Sequence, residues 1–210
     1  MACGTGRLAY SLIRNGAEYT GLELSTGLAN FAKQKLNKIT KNVKIVNQDM
    51  RKFQLNKKFD LIFIGFNSFL HLLTDNDAIS CLNSVKKHMH SETKFIIDIF
   101  IPNPLFLYKP KGMRFNVLEY IDSKSQSKIY VEEVNEYDPN TDINKLIWYF
   151  SNEEKKDFIN EQFYMRMYFP SKMNQLLIDS GFHILNQWGD YYKTPLGEGS
   201  KLQIYNSILS

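Results

Sequence analysis

Residues 59–65 (FDLIFIG) limit the choice of fold more than any other segment of this chain. The run is apolar except at Asp60, which is typical of a strand in a parallel sheet with both faces covered. Segments with helical spacing of apolar residues alternate with further short apolar runs. The predicted strands are 19–24, 43–46, 59–65 and 94–100, and the predicted helices are 7–15, 26–40 and 75–88. This alternation predicts an α/β fold with a doubly wound parallel sheet.

The pattern changes after Pro102 and Pro104. Four segments rich in Tyr, Phe, Ile and Val follow, separated by turn residues, at 113–122, 127–137, 143–150 and 157–168. We interpret them as an antiparallel sheet inserted into the α/β fold. A helix at 171–180 and an antiparallel strand pair at 182–188 and 201–208 complete the prediction. Residues 1–104 and 169–210 would then form the α/β domain, and residues 105–168 the insertion.

Bulk composition excludes several classes of protein. With 210 residues and 43% hydrophobic content, the chain suits one sizeable domain. The net charge of +4 comes without a dense basic stripe, so we expect no nucleic-acid partner. Asp98 interrupts the longest apolar stretch, so we expect no membrane span. Two cysteines without metal spacing indicate neither a disulfide framework nor a metal site, and favour a reduced, cytoplasmic setting.

A glycine loop opens the chain as Ala2-Cys3-Gly4-Thr5-Gly6-Arg7. Glycines permit a tight turn and a close approach of backbone to a ligand, and the helix behind them offers free N–H groups. Glu23 ends the next strand and is placed to accept hydrogen bonds from the ribose of an adenosine cofactor. The loop alone leaves alternatives open, because Gly4-x-Gly6-x-x-Ala9 also satisfies the relaxed dinucleotide fingerprint. A turn that binds no ligand is a third interpretation.

Two further segments follow predicted strands at the same edge of the sheet. Asp49 and Met50 come after the predicted strand 43–46, where an acid and an apolar side chain suit the amino group and the face of an adenine. Asp49 as a helix N-cap is the alternative. Residues 66–71 follow the predicted strand 59–65. Ligands in open α/β sheets bind beyond the carboxyl ends of the strands, so these coincidences favour an adenosine cofactor.

At these residues the chain resembles the class I S-adenosylmethionine-dependent methyltransferases. The matching stretches are ACGTGRL, TGLELS, NQDMRKF, FDLIFIGFNSFLHL and SGFHILNQWGDYYKTPLGEGSKLQIYNSI. The runs VEEVNEYDPNT and MRMYFPSKMNQLLIDSGF are similar to the small-molecule branch with an inserted sheet, above all the sugar amine and small-amine N-methyltransferases.

The resemblance implies roles for particular residues. The glycine loop and Phe66–Asn67 would face the methionyl part and sulfonium of S-adenosylmethionine, Glu23 the ribose, and Asp49–Met50 the adenine. The implied cofactor-binding set is Ala2, Gly4, Gly6, Arg7, Glu23, Leu24, Asp49, Met50, Phe66 and Asn67. In some amino-sugar methyltransferases a histidine matches His71 close to the acceptor, which makes His71 the candidate proton acceptor. A helix-start histidine bonded to backbone is the alternative.

The inserted sheet would act as a lid that shapes the acceptor pocket, or as the surface of a homodimer. Tyr164, Arg166 and Tyr168 alternate along its last predicted strand and would share one face. We expect them to line the pocket. The alternative for Arg166 is an ion pair with Glu132 or Glu133.

The resemblance also places an apolar central strand directly before the glycine loop, where this sequence has only Met1. We therefore expect the first central strand to be missing, with a gap of about 9–10 Å, two strand spacings, or a rearranged sheet. We expect the sequence to begin inside a longer protein; a truncated gene product is the alternative.

The predicted function is transfer of a methyl group from S-adenosylmethionine to a small molecule, at an amine. Two alternatives stay open at this point: a non-catalytic methyltransferase-like module, and a nicotinamide-dependent oxidoreductase.

Overall fold

Two parallel strand pairs form the centre of the α/β unit. The computed structural model describes all residues from Met1 to Ser210. The α/β unit comprises Met1–Phe69, Thr74–Phe100 and Pro170–Ser210. Its elements, numbered in chain order, are α1 (Ala9–Arg14), β1 (Tyr19–Glu23), α2 (Thr26–Leu36), β2 (Val43–Asn47), β3 (Phe59–Ile64), α3 (Asp75–Lys86), β4 (Met89–Phe100), α5 (Pro170–Asp179), β9 (Phe182–Trp188) and β10 (Leu202–Leu209).

Strand pairing divides this unit into two pieces of sheet. β1 pairs with β2 in parallel, with Gly21 opposite Ile45. The second piece has the order β3-β4-β10-β9. β3 and β4 are parallel, and β10 is antiparallel to both of its neighbours. The mixed α/β fold therefore ends in the antiparallel strand pair that the sequence predicts.

Two helices of the α/β unit, α2 and α3, begin at polar caps. Ser25 accepts a hydrogen bond from the Leu28 N–H at the start of α2. Thr74 accepts one from the Asp77 N–H at the start of α3, whose first turn also carries Asp75. Such caps satisfy otherwise unpaired N–H groups, and acidic residues in the first turn complement the helix dipole. The connections from β1 to α2 and into α3 are thus determined locally.

A gap separates β1 from β3. The chain start lies between them: the Met1 amino group donates to the Phe63 carbonyl at 2.6 Å, and the Cys3 N–H donates to the Leu22 carbonyl at 2.9 Å. Phe63 is on β3 and Leu22 is on β1, so residues 1–3 bridge the two pieces of sheet. A single chain segment that bonds to both sides fits a gap about two strand spacings wide.

The second unit is the inserted antiparallel sheet, formed by Leu70–Leu73 and Ile101–Phe169. It contains α4 (Pro104–Leu107), β5 (Phe115–Ile121), β6 (Lys128–Asp138), β7 (Ile143–Ser151) and β8 (Ile159–Arg166). The strands pair in sequence order, β5-β6-β7-β8, and every pair is antiparallel. Its buried apolar side chains include Ile129, Val131, Val134 and Leu146.

Two details differ from the sequence prediction. The run 59–65 is not covered on all sides, because Leu61 is 42% exposed, and no neighbour pairs with the side of β3 that faces the gap. Tyr168 does not continue the alternation of Tyr164 and Arg166, because β8 ends at Arg166.

No helix of the structure is both long and apolar enough to cross a membrane.

The glycine loop offers a test of packing against α2. Gly6 has φ +71, and a Cβ there would lie 2.7 Å from Cδ1 of the fully buried Leu36. Gly16 has φ +85 with open space around it. Gly16→Ala is therefore a matched control, in which the free energy of unfolding falls only by the cost of a left-handed backbone, about 1–2 kcal/mol. We expect Gly6→Ala to cost about 1–3 kcal/mol more because of overpacking, as measured by urea unfolding. Equal losses in the two variants would contradict this packing.

Candidate functional site

The glycine loop exposes backbone to open space. Gly4 has φ +53 and nothing lies within 4 Å of the position of a Cβ there. The loop closes through a hydrogen bond from the Gly6 N–H to the Cys3 carbonyl at 2.9 Å. Its two glycines therefore have different tasks: Gly4 leaves room for a ligand at the backbone, and Gly6 packs against α2.

Glu23 holds this loop from the end of β1. One carboxylate oxygen accepts from the Gly4 N–H at 2.8 Å, and the other accepts from the Ser25 N–H at 2.9 Å. The side chain is buried, and hydrogen bonds to a charged group of this kind contribute about 1.5–3 kcal/mol each. Each oxygen keeps acceptor capacity for a further donor. Leu24, the next residue, is exposed.

Asn47 joins the carboxyl ends of β1 and β2. Its side-chain amide donates to the Glu23 carbonyl at 2.8 Å and to the Leu24 carbonyl at 2.7 Å, and its oxygen accepts from the Thr26 hydroxyl at 2.9 Å. The segment from Glu23 to the start of α2 is thereby fixed relative to β2. Sequence reasoning did not single out Asn47, although its place at the end of a parallel strand was a usable signal.

The Asp49 carboxylate is hydrogen-bonded to an arginine. Both carboxylate oxygens accept from Arg51, at distances from 2.6 to 3.1 Å, and Arg51 also reaches Asp77 at 2.9 Å. Hydrogen bonds from Arg51 are the main reason that the pKa of Asp49 is lowered. Four hydrogen bonds from three N–H groups of Arg51 already fill the acceptor positions of this carboxylate, so Arg51 must move before Asp49 can accept from an adenine. Met50 is half-buried beside it.

Phe66 and Asn67 form a strained corner after β3. Their φ values are +53 and +62, a left-handed conformation that costs residues other than glycine about 1–3 kcal/mol. The Asn67 side-chain oxygen accepts from the Phe100 N–H at 2.7 Å. The Arg7 guanidinium lies 4.3 Å from the centre of the Phe66 ring, so the glycine loop and this corner contact each other.

Asp98 holds the same corner and was missed as a site residue. Its carboxylate accepts from the Phe66 N–H at 2.5 Å and from the Tyr191 hydroxyl at 3.1 Å, and its carbonyl accepts from the Asn67 N–H at 3.2 Å. Burial raises the pKa of Asp98. The signal in the sequence was an acid within the otherwise apolar segment FIIDIF.

A cavity of about 250 Å³ connects the glycine loop to this corner. Four of the predicted cofactor residues line it: Ala2, Gly4, Arg7 and Phe66. Glu23 contacts the loop from behind. Gly6, Leu24, Asp49, Met50 and Asn67 are not part of the lining.

The predicted acceptor residues belong to the inserted unit. Nδ1 of His71 lies 3.3 Å from the Tyr164 carbonyl, and the half-exposed Tyr164 ring contributes to a cavity of about 560 Å³. Tyr168 is fully buried, with its hydroxyl donating to the Leu72 carbonyl at 2.5 Å. The Arg166 guanidinium lies 5.2 Å from the centre of the Tyr168 ring.

Both acids considered as ion-pair partners of Arg166 contact other cations. Glu132 pairs with Arg114 at 3.2 Å, and Glu133 pairs with Lys109 at 3.4 Å. No group of three or more histidine, cysteine or acidic side chains has the arrangement of a metal site.

Taken together, the structure shows an α/β protein with a cavity between its glycine loop and the corner at Phe66, and comparison with known proteins indicates the class. Residues 1–92 match the family described as "Methyltransferase domain". The chain is 24% identical over 212 residues to the putative methyltransferase YqeM of Bacillus subtilis (strain 168), covering 96% of this chain and 80% of that protein.

Solved structures show the same fold. An S-adenosylmethionine-dependent methyltransferase from Clostridium acetobutylicum ATCC 824 matches with a TM-score of 0.83 at 21% identity, covering 100% of this chain and 82% of that one. The sugar N-methyltransferase KedS8 from Streptoalloteichus sp ATCC 53650 matches with a TM-score of 0.74 at 14% identity, covering 97% and 76%.

These matches support a class I S-adenosylmethionine-dependent methyltransferase. Its cofactor is S-adenosylmethionine, which confirms the predicted cofactor class. The nicotinamide-dependent oxidoreductase is therefore not retained.

The buried Asp98 predicts a pH effect on stability. Because its pKa is raised in the folded state, the folded protein binds more protons than the unfolded one just above about pH 4, the ordinary carboxyl range. The contribution of Asp98 to stability is therefore present below that range and is lost as the pH rises through the raised pKa. Asp98→Asn retains a side-chain acceptor and cannot titrate.

We expect the free energy of unfolding of the wild type, relative to Asp98→Asn, to fall as the pH rises from about 4 to 7. Urea unfolding at several pH values measures this difference. A difference that stays constant or grows with pH would show that burial does not raise the pKa of Asp98.

Proposed function

We propose that this methyltransferase acts on an amine of a small molecule, with the cofactor held by the glycine loop and Glu23. The observation that carries the cofactor placement is the pair of hydrogen bonds from the Gly4 and Ser25 N–H groups to one carboxylate. They fix the loop whose open side faces the cavity. What supports an amine acceptor is the likeness over 97% of this chain to a sugar N-methyltransferase.

The residues present fit an adenosine cofactor. The space at the Gly4 Cβ position lets the methionyl part approach the backbone. Glu23 retains acceptor capacity for the two ribose hydroxyls. Arg7, on the cavity wall, is a suitable partner for the methionyl carboxylate. Asp49 and Met50 are assigned to the adenine, which requires Arg51 to release Asp49.

The chemistry places few demands on the protein. S-adenosylmethionine, when bound, would supply an electrophilic methyl group on a sulfonium for the acceptor nitrogen, with a thioether as the leaving group. The protein must hold the acceptor in line and exclude water, an orientation effect worth up to about 7–11 kcal/mol. Phe66 offers an aromatic face that favours a cation.

An amine reacts through its neutral form, so one proton must leave the acceptor nitrogen. We assign this proton to His71, because an imidazole can accept one near neutral pH. Its contact with the Tyr164 carbonyl orients the ring through Nδ1, which leaves Nε2 to act. Tyr164 is assigned to the acceptor pocket in the inserted unit. Arg166 lies on the same strand, whereas Tyr168 is buried and donates to the Leu72 carbonyl.

Glu23→Ala tests the cofactor assignment. We expect the affinity for S-adenosylhomocysteine to fall at least tenfold, about 1.4 kcal/mol, because the loop loses its anchor and the ribose loses its acceptor. Isothermal titration calorimetry measures the affinity. Glu18→Ala is the control, since Glu18 precedes the same strand at its other end, is exposed and should bind as the wild type does. Unchanged affinity in a folded Glu23→Ala protein would refute the ribose role.

A panel of small acceptors tests the amine assignment. We expect turnover, measured as release of S-adenosylhomocysteine, on amines and not on matched alcohols. For His71→Gln we expect a kcat at least tenfold lower at neutral pH, with partial recovery at higher pH, where more of the acceptor is neutral without a base. Turnover confined to alcohols would contradict the amine assignment. A His71→Gln variant with wild-type kcat would remove His71 from the reaction.

A further inference from the structure

Residues 49–55, which we call the 49–55 segment, carry Asp49 and Met50 at their start. They lie between β2 and β3 and form neither a helix nor a strand. Within the segment, the Lys52 N–H donates to the Asp49 carbonyl at 3.1 Å. A segment without regular structure has few backbone hydrogen bonds of its own, so its shape depends on the surface against which it packs. The position of Asp49 and Met50 therefore depends on what holds the rest of the segment.

The C-terminal end of α3 holds the segment at three points. The Ser84 hydroxyl donates to the Arg51 carbonyl at 2.9 Å, and the Leu55 N–H donates to Nε2 of His88 at 2.9 Å. The Phe53 ring stacks on the His88 imidazole, with 4.5 Å between the ring centres and 21° between their planes. Ser84, His88 and Phe53 are all buried. His88, just beyond the last residue of α3, thus makes two of the three contacts.

Both ring nitrogens of His88 have a partner, and these partners assign its proton. The Leu55 N–H can only donate, so Nε2 must accept. The Ser84 carbonyl, 2.7 Å from Nδ1, can only accept, so Nδ1 carries the hydrogen. The buried imidazole is therefore neutral and is oriented by α3, with its acceptor nitrogen directed at the 49–55 segment.

We propose that His88 is a positioning residue for cofactor binding, which holds the 49–55 segment so that Asp49 and Met50 are in place before the purine binds. This role rests on the proposed binding of the adenine at these two residues. His88 acts through Leu55 and Phe53 and is not itself a ligand of the cofactor. A segment that is ordered before the ligand binds does not have to be ordered at the expense of binding energy.

The exocyclic amino group of adenine provides a readout that is specific to this role. A carboxylate accepts from this amino group but not from the oxygen that replaces it in hypoxanthine. S-inosylhomocysteine, the deaminated form of S-adenosylhomocysteine, should therefore bind more weakly when Asp49 is correctly placed. Loss of the contact that places Asp49 reduces this preference, whereas loss of a histidine that only stabilises the fold leaves the preference unchanged.

Two substitutions separate the hydrogen bond of His88 from its ring. Gln carries its amide oxygen about as far from the backbone as Nε2, so His88→Gln keeps an acceptor for the Leu55 N–H. Asn is shorter, so His88→Asn leaves that N–H without this partner. Both variants lose the ring that stacks on Phe53, which matches them in packing. His90→Gln is a further control, because the His90 ring pairs instead with Asp60 at 3.1 Å.

Isothermal titration calorimetry with S-adenosylhomocysteine and with S-inosylhomocysteine measures both affinities, and urea unfolding verifies that each protein is folded. We expect His88→Asn to bind S-adenosylhomocysteine about two- to tenfold more weakly than the wild type, the range of one net hydrogen bond. It should also lose most of the preference for this ligand over S-inosylhomocysteine. His88→Gln and His90→Gln should retain both the affinity and the preference.

Two results would overturn the role of His88. One is wild-type affinity and preference in a folded His88→Asn protein. The other is an equal loss in His88→Asn and His88→Gln, which would show that the acceptor at Nε2 does not matter. A wild-type protein with no preference between the two ligands would refute the adenine placement at Asp49, and the role of His88 with it. Failure of the positioning role alone is therefore distinguishable from failure of the proposed cofactor site.

Discussion

The carboxylate of Glu23 is the interaction on which the site depends. It accepts from the N–H groups of Gly4 and Ser25, so one buried charge ties the glycine loop to the start of α2. The backbone at Gly4 can then face open space without collapsing onto the sheet. Asn47 fixes the Glu23 carbonyl from β2, which extends the same anchor to the neighbouring strand. A loop that must leave room for a ligand needs such external support.

A second acid has the corresponding task at the far side of the cavity. Asp98 accepts from the Phe66 N–H, and its carbonyl accepts from the Asn67 N–H, which compensates for the left-handed backbone of both residues. The Asp98 carboxylate is partly buried, and this burial raises its pKa. The contact between Arg7 and the Phe66 ring joins the two anchored segments. The cavity walls are thus held by hydrogen bonds from strand ends.

Much of the fold could be predicted from periodicity, because strands such as β3 and the inserted sheet have strong apolar patterns. The glycine loop and Glu23 were also visible, the loop as glycines before a predicted helix and Glu23 as an acid at the end of a predicted strand. Contacts between distant segments were not visible: neither the pair of Arg51 with Asp77 nor the role of Asp98 has a local spacing that reveals it. The fully buried Tyr168 was misplaced on the strand face because alternation alone does not show where β8 ends.

A crystal structure of the protein with S-adenosylhomocysteine tests the central claim most directly. We expect both ribose hydroxyls within hydrogen-bonding distance of the Glu23 carboxylate, with the Gly4 N–H still donating to it. We also expect the homocysteine part against Gly4 and Arg7. A ligand bound without contact to Glu23, or a glycine loop that loses its hydrogen bond to this carboxylate when the ligand binds, would contradict this role of Glu23.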